Sequence, residues 1–213
     1  MPETARRTIC ISHATGAGGE LVGHAVAAGL GFRFVDDEVI SEAAEWADLD
    51  PALVADAERR KPLVARLLGG FGQESSAPRL ATGDATRVVP GDAELRQLIA
   101  AAVGSFARQG SVVIVAHAAS FAVAGDDVLR VFVTASPETR SRRIADERRT
   151  DERESARLLK AEDAGRADYL KRFYGVDREL PTHFDIVVNT DVLAPVDAAT
   201  VIMAAMERTA SGR

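Results

Sequence analysis

The chain has 213 residues, 46% of them apolar and 27% charged, a globular composition long enough to bury a core without disulfides or structural metals. A single cysteine, Cys10, excludes a disulfide framework, and a formal charge of −6 argues against general nucleic-acid binding. The apolar run after Arg6 and Arg7 is cut by Ser12 and His13, and the longest one, around Val112–Ala124, by His117 and Ser120. Neither reads as a secretory signal or a bilayer span, so a cytoplasmic protein without membrane or nucleic-acid partners is expected, as a monomer or homodimer.

In chain order, Thr8–Ser12 is a short β-branched run that ends in a glycine-rich turn, which predicts a buried strand containing Cys10. A helix follows over Glu20–Leu30, with Gly31 at the C-cap position. Phe32–Val35 is a second strand, ending at Asp36, Asp37 and Glu38. Helices are predicted at Val39–Ala47 and Pro51–Leu68, and a long loop or flap at Gly69–Gly91, where Gly, Ser, Pro and Thr replace any periodicity. Ala93–Gln109 regains a helical period. Ser111–Ala116 and Val128–Val133 are strands, Pro137–Glu147 and Arg153–Phe173 are helices joined by a charged turn, and Phe184–Asn189 and Pro195–Arg208 are the last strand and helix. Strands that alternate with helices and are apolar on both faces predict a single α/β domain over 1–213, a three-layer parallel sheet covered on both sides. Ligands of such sheets sit beyond the carboxyl ends of the strands.

The first strand-to-helix turn, Ser12-His-Ala-Thr-Gly-Ala-Gly-Gly-Glu20, is therefore the natural phosphate site. Glycines at 16, 18 and 19 let a phosphate approach backbone N–H groups, and the helix adds the positive end of its dipole. Thr15, Gly16, Ala17, Gly18, Gly19, Glu20 and Leu21 are the candidate donors. The usual lysine of a phosphate loop is missing, since Gly19 holds its position and Glu20 and Leu21 follow where a Mg²⁺-binding hydroxyl is expected. His13 either contacts phosphate or caps the turn. A second feature is the crowd of cations from Arg140 to Arg172, which either holds a small anion or lines a solvated helix face with acidic partners.

Four segments together resemble the cytidylate-kinase-like family, a branch of the nucleoside monophosphate kinases with P-loop folds. They are Thr15-Gly-Ala-Gly-Gly-Glu-Leu-Val-Gly23, Phe34-Val-Asp-Asp-Glu-Val-Ile40, Ala135-Ser-Pro-Glu-Thr-Arg-Ser-Arg-Arg-Ile144 and Lys160-Ala-Glu-Asp-Ala-Gly-Arg166 with Tyr169, Tyr174 and Gly175; the strand Asp185-Ile-Val-Val-Asn-Thr190 is also typical. The resemblance implies a P-loop kinase fold with a helical lid over 138–175 and an acceptor-side insertion at 48–91. It also implies Mg²⁺ with ATP as phosphoryl donor and a nucleoside monophosphate, CMP or a related pyrimidine nucleotide, as acceptor. The lysine-free loop is a trait of this branch. Arg140, Arg143, Arg148 and Arg166 then become the catalytic cations, with Asp163 arranging them, and Asp36, Asp37 and His117 face the acceptor. His117 stands where the family usually has an arginine, a pH-dependent charge in place of a permanent one. Two other readings fit the same residues: a nucleotide-binding protein that has lost transfer, and a kinase of another small acceptor.

Overall fold

The computed structural model describes residues 8–36, 38–48, 51, 92–116, 118–123, 125 and 127–211. Strands β1 (Thr8–His13), β2 (Arg33–Val35), β3 (Val112–Val115), β4 (Val128–Thr134) and β5 (Ile186–Asn189) form one parallel sheet in the order β2-β3-β1-β4-β5. The helices are α1 (Gly19–Leu30), α2 (Glu38–Trp46), α3 (Asp92–Gln109), a short α4 (Ala119–Ala122), α5 (Pro137–Arg148), α6 (Glu152–Tyr174) and α7 (Pro195–Ser211), with a 3-10 turn at Pro181–His183.

β1 is the centre of the sheet, with Cys10 opposite Ile114 of β3 and Arg130 of β4. Its side chains alternate between two cores, as the period of a strand requires. Ile9 and Ile11 join Val22 and Val26 of α1 and Ala198 and Ile202 of α7. Cys10 joins Val39 of α2, Leu95 and Phe106 of α3, and Tyr169 and Phe173 of α6. Ile9, Cys10 and Ile11 are all fully buried, which explains why β1 reads as a continuous apolar run. Each large side chain buried this way contributes about 1.5–3 kcal/mol of transfer free energy. The result is the expected three-layer α/β architecture.

Helix ends follow local chemistry. Gly31 caps α1 in the left-handed region (φ 66°), its N–H bonded to the carbonyls of Ala27 and Ala28. Ser136 caps α5 by accepting the Thr139 N–H, with Pro137 in the first turn; Asp151 caps α6 by accepting the Glu154 N–H at 2.8 Å. Only Thr150 separates the α5 cap Arg149 from Asp151, so α5 and α6 fold back on each other. Ser141 and Ser155 share a hydrogen bond at 2.9 Å between them, and Ile144 and Leu159 are buried.

Two short elements lie outside the expected pattern. The apolar stretch after β3 leaves the sheet at Ala116, turns at Ala118 (φ 57°) and forms α4. The 3-10 turn precedes β5. The helix expected over Pro51–Leu68 (Pro51 apart), the loop over Gly69–Gly91 and most of the 48–91 insertion fall outside the described residues. No described helix is long and apolar enough to cross a membrane.

Candidate functional site

The loop from Ala14 to Gly18 joins the carboxyl end of the central strand to α1. It begins with a tight turn in which Ala17 N–H bonds to the Ala14 carbonyl at 3.0 Å. Gly16 and Gly18 both take left-handed conformations, φ 75° and 78°. Gly18 is the N-cap of α1, its carbonyl receiving the Val22 N–H at 3.1 Å. The amides of Gly19, Glu20 and Leu21 open the helix and have no carbonyl four residues back within it. They and the helix dipole make this end of the loop attractive to an anion.

The loop carbonyls are tied back. Thr15 O accepts from Arg140 Nη1 at 3.3 Å, Gly16 O from Arg143 Nη1 at 3.4 Å, and Ala17 O from the Thr190 hydroxyl at 2.8 Å. Arg143 also donates to Thr190, to its hydroxyl at 2.9 Å and to its carbonyl at 2.6 Å. With three consecutive carbonyls held by α5 and the end of β5, and the Ala17 N–H bonded within the loop, the polar groups this end presents are the opening N–H donors of α1, Gly19 to Leu21. That is the polarity an anion cradle needs.

Two arginines of α5 and α6 are held by carboxylates. Arg140, only 7% exposed, grips Asp163 of α6 with two parallel bonds of 2.8 Å. Arg166 is equally buried and grips Glu179 in the same fork-to-fork manner, at 2.7 and 2.8 Å, with its guanidinium over the Phe132 ring. Asp163 and Arg166, three apart on α6, thus pair with other elements and not with each other. Arg148 is exposed in the last turn of α5, where a cation complements the negative end of the helix dipole.

His13 is the last residue of β1, and its ring lies against Gly19. A Cβ on residue 19 would overlap His13 Cβ and Cγ. Its Nδ1 is 3.3 Å from the Ala14 carbonyl oxygen. Burial, with a smaller contribution from Arg166, pushes the imidazole below its ordinary 6.5; the bond to Ala14 and the Glu179 charge oppose this. Asp191, just beyond β5, accepts from the Ser136 N–H at 2.8 Å and its hydroxyl at 2.9 Å, and these bonds hold its carboxyl at about 2.

The structure therefore brings Thr15 through Leu21, Arg140, Arg143 and Asp163 into one region at the carboxyl end of β1, with Arg166 close enough for its charge to act on His13. Asp36 sits half-buried just after β2, on the same edge of the sheet but two strands away. Asp37 and His117 lie outside the described residues. Sequence reasoning did not find Thr190, Glu179 or Asp191. Thr190 closes a segment typical of the family, whereas Glu179 carries no signal before the chain is folded. Among the described residues no group of three His, Cys, Asp or Glu side chains is placed to hold a metal.

Residues 8–192 match the cytidylate kinase-like family. The chain belongs to that family. Among curated proteins it is 31% identical over 101 residues to a cytidylate kinase of Sulfolobus acidocaldarius; the match covers 47% of this chain and about half (55%) of that enzyme. Among solved structures it resembles an uncharacterized protein from Eubacterium ventriosum, with TM-score 0.63 and 16% identity over 98% of this chain and 100% of the other. It also resembles a gluconokinase from Sinorhizobium meliloti, with TM-score 0.52 and 14% identity over 98% and 96% of the two chains. At these identities the structural likenesses establish the fold, that of the α/β P-loop kinases.

Proposed function

We propose that the chain transfers the γ-phosphoryl group of ATP to a nucleoside monophosphate, with CMP or a related pyrimidine nucleotide as acceptor. The observation that carries this reading is the loop whose carbonyls are tied back by Arg140, Arg143 and Thr190, leaving its amides to hold a phosphate chain. An oxygen of the acceptor phosphate attacks the γ-phosphorus as the bond to ADP breaks. Little covalent chemistry is asked of the protein, so its task is to position the two phosphates and neutralise the charge between them. Mg²⁺ would arrive complexed to ATP, held mainly by phosphate oxygens and water, as it commonly is.

Arg166 is the foremost candidate for transition-state stabilisation. Glu179 holds its planar fork in one orientation, which lowers the entropy lost when a phosphate replaces the carboxylate. Arg140 and Arg143 brace the loop from α5, and Asp163 locks Arg140. Asp36 at the end of β2 is a candidate acceptor contact on the same sheet edge. A reading as a binding protein without transfer is favoured by two ion pairs: Arg140 and Arg166 both spend their forks on carboxylates.

A coupled ADP-release assay across nucleoside monophosphates, beside calorimetric ATP binding, separates the two. Stimulation by a pyrimidine monophosphate is expected; ATP binding with no acceptor-dependent ADP would leave the binding protein. Because Arg166→Ala alone strands a largely buried carboxylate, the test of this residue pairs it with Glu179→Gln. That double variant should lose about a hundred-fold or more in kcat while E179Q alone keeps much of it; equal rates would remove Arg166 from the mechanism.

A further inference from the structure

We propose that His13 is the cation of this phosphate loop, its imidazole taking a proton from solvent as a phosphate chain enters the cradle and donating it as a hydrogen bond to a phosphate oxygen. The inference deepens the phosphate-loop reading and rests on it. Its basis is steric exclusion: the space into which a side chain at residue 19 would grow is filled by His13 Cβ and Cγ. A side chain at 19 and the ring of His13 in its present position exclude each other. The position that gives a phosphate loop its lysine is here a glycine because the histidine occupies the room.

The hydrogen positions follow from the contacts. A carbonyl oxygen can only accept, so the bond between Nδ1 and Ala14 O places the hydrogen of the neutral ring on Nδ1. Nε2 keeps a lone pair and is the atom that takes the added proton. No other bond forms or breaks in this step, and the proton comes from water.

Among the described residues, Arg166 and Glu179 are the charged groups that bear on the ring. Arg166 of α6 opposes a proton, and Glu179, ahead of the 3-10 turn, favours one; Gly19 on α1 brings no side chain. Burial is the larger cause and Arg166 outweighs Glu179, so both act to hold the free imidazole below its ordinary 6.5 and mostly neutral at pH 7. A phosphate chain brings two or more negative charges to the same place and reverses the balance. Binding is then linked to proton uptake in the interval between the free pKa, which lies below 6.5, and the higher pKa of the complex. Affinity for ATP falls as pH rises through that upper value and levels off below the lower one. A lysine loop would show no such window near neutrality.

The experiment is calorimetric titration of Mg²⁺-ATP into the full chain at pH 7, in buffers of different ionisation enthalpy, for the natural protein and for His13→Gln. The natural chain should take up a substantial fraction of one proton per ATP bound. H13Q should bind roughly ten-fold more weakly, as expected for loss of a charge-assisted hydrogen bond, with uptake reduced to that of the nucleotide itself. The histidine resonances of the unsubstituted protein give a second readout that needs no variant to fold. The His13 midpoint should lie below 6.5 without ligand and move above it with ATP. Equal proton uptake by both proteins, or a midpoint unmoved by ATP, overturns the role of His13 while leaving the phosphate loop in place. Failure of ATP to bind the natural chain overturns both.

Discussion

Gly16 meets two demands at once. Its φ of 75° lies where an L side chain is strained, and a Cβ built on it would stand 2.8 Å from the Arg140 carbonyl oxygen, a backbone atom of α5 that cannot step aside. Gly16→Ala should therefore cost about 1–3 kcal/mol of stability and push the loop away from α5. A denaturant titration reads the first effect, and weaker ATP binding the second; a variant as stable as the natural chain would mean that the loop relaxes freely. The glycines are legible in the sequence because a strand-turn-helix pattern with Gly16, Gly18 and Gly19 has few other uses. The exclusion between His13 and Gly19 is not legible. It depends on which way one ring turns after the strand ends, and six residues of sequence separation say nothing about that.

The helices predicted at Pro137–Glu147 and Arg153–Phe173 are α5 and α6, and the structure shows what starts them, Ser136 with Pro137 and Asp151. Their ion pairs were not legible in the sequence. Helical spacing puts Asp163 and Arg166 on one face, yet Asp163 reaches across to Arg140 and Arg166 reaches down to Glu179, contacts set by how the helices pack. Local spacing predicts neighbours along a helix, and here tertiary partners offer deeper burial and a two-bond fit. Asp163→Asn keeps the shape but removes the charge that balances a nearly buried arginine. Asp163 itself is 42% exposed, so water tempers the loss, and about 1–2 kcal/mol of stability is expected. The melting temperature checks this, and the expected fall should be smaller in an Arg140→Met, Asp163→Asn double variant than the two single changes sum to. At the other end of α5, Asp191 holds Ser136. Its carboxyl is depressed from 3.8 to about 2, so its bonds support the fold above pH 4 and are lost as pH falls through 2. Asp191→Asn should flatten the acid limb of a stability profile between those values; an unchanged limb would assign acid unfolding to other carboxylates.

At the scale of the whole molecule, the order β2-β3-β1-β4-β5 puts the only cysteine of the chain at the middle of the central strand, fully buried between two helical layers. Burial pushes the Cys10 thiol up to about 12 from its ordinary 9. Because the folded value is the higher one, this residue favours folding below pH 9 and withdraws that support as pH rises toward 12. The same burial makes it a reporter. A thiol reagent can reach Cys10 only when the sheet opens, so labelling at pH 8 should be slower than in denaturant by about three orders of magnitude or more. ATP that binds the folded chain alone lowers the open population, so ATP at about a hundred times its Kd should slow labelling a further hundred-fold, whatever the acceptor. Mass spectrometry of the modified chain follows both. If Cys10 reacts quickly in the absence of denaturant and ATP does not slow it, β1 opens locally without loss of the phosphate loop. The central strand and the loop it carries would then be independent units, contrary to a fold in which the strand's end residue, His13, is packed into the loop's own helix.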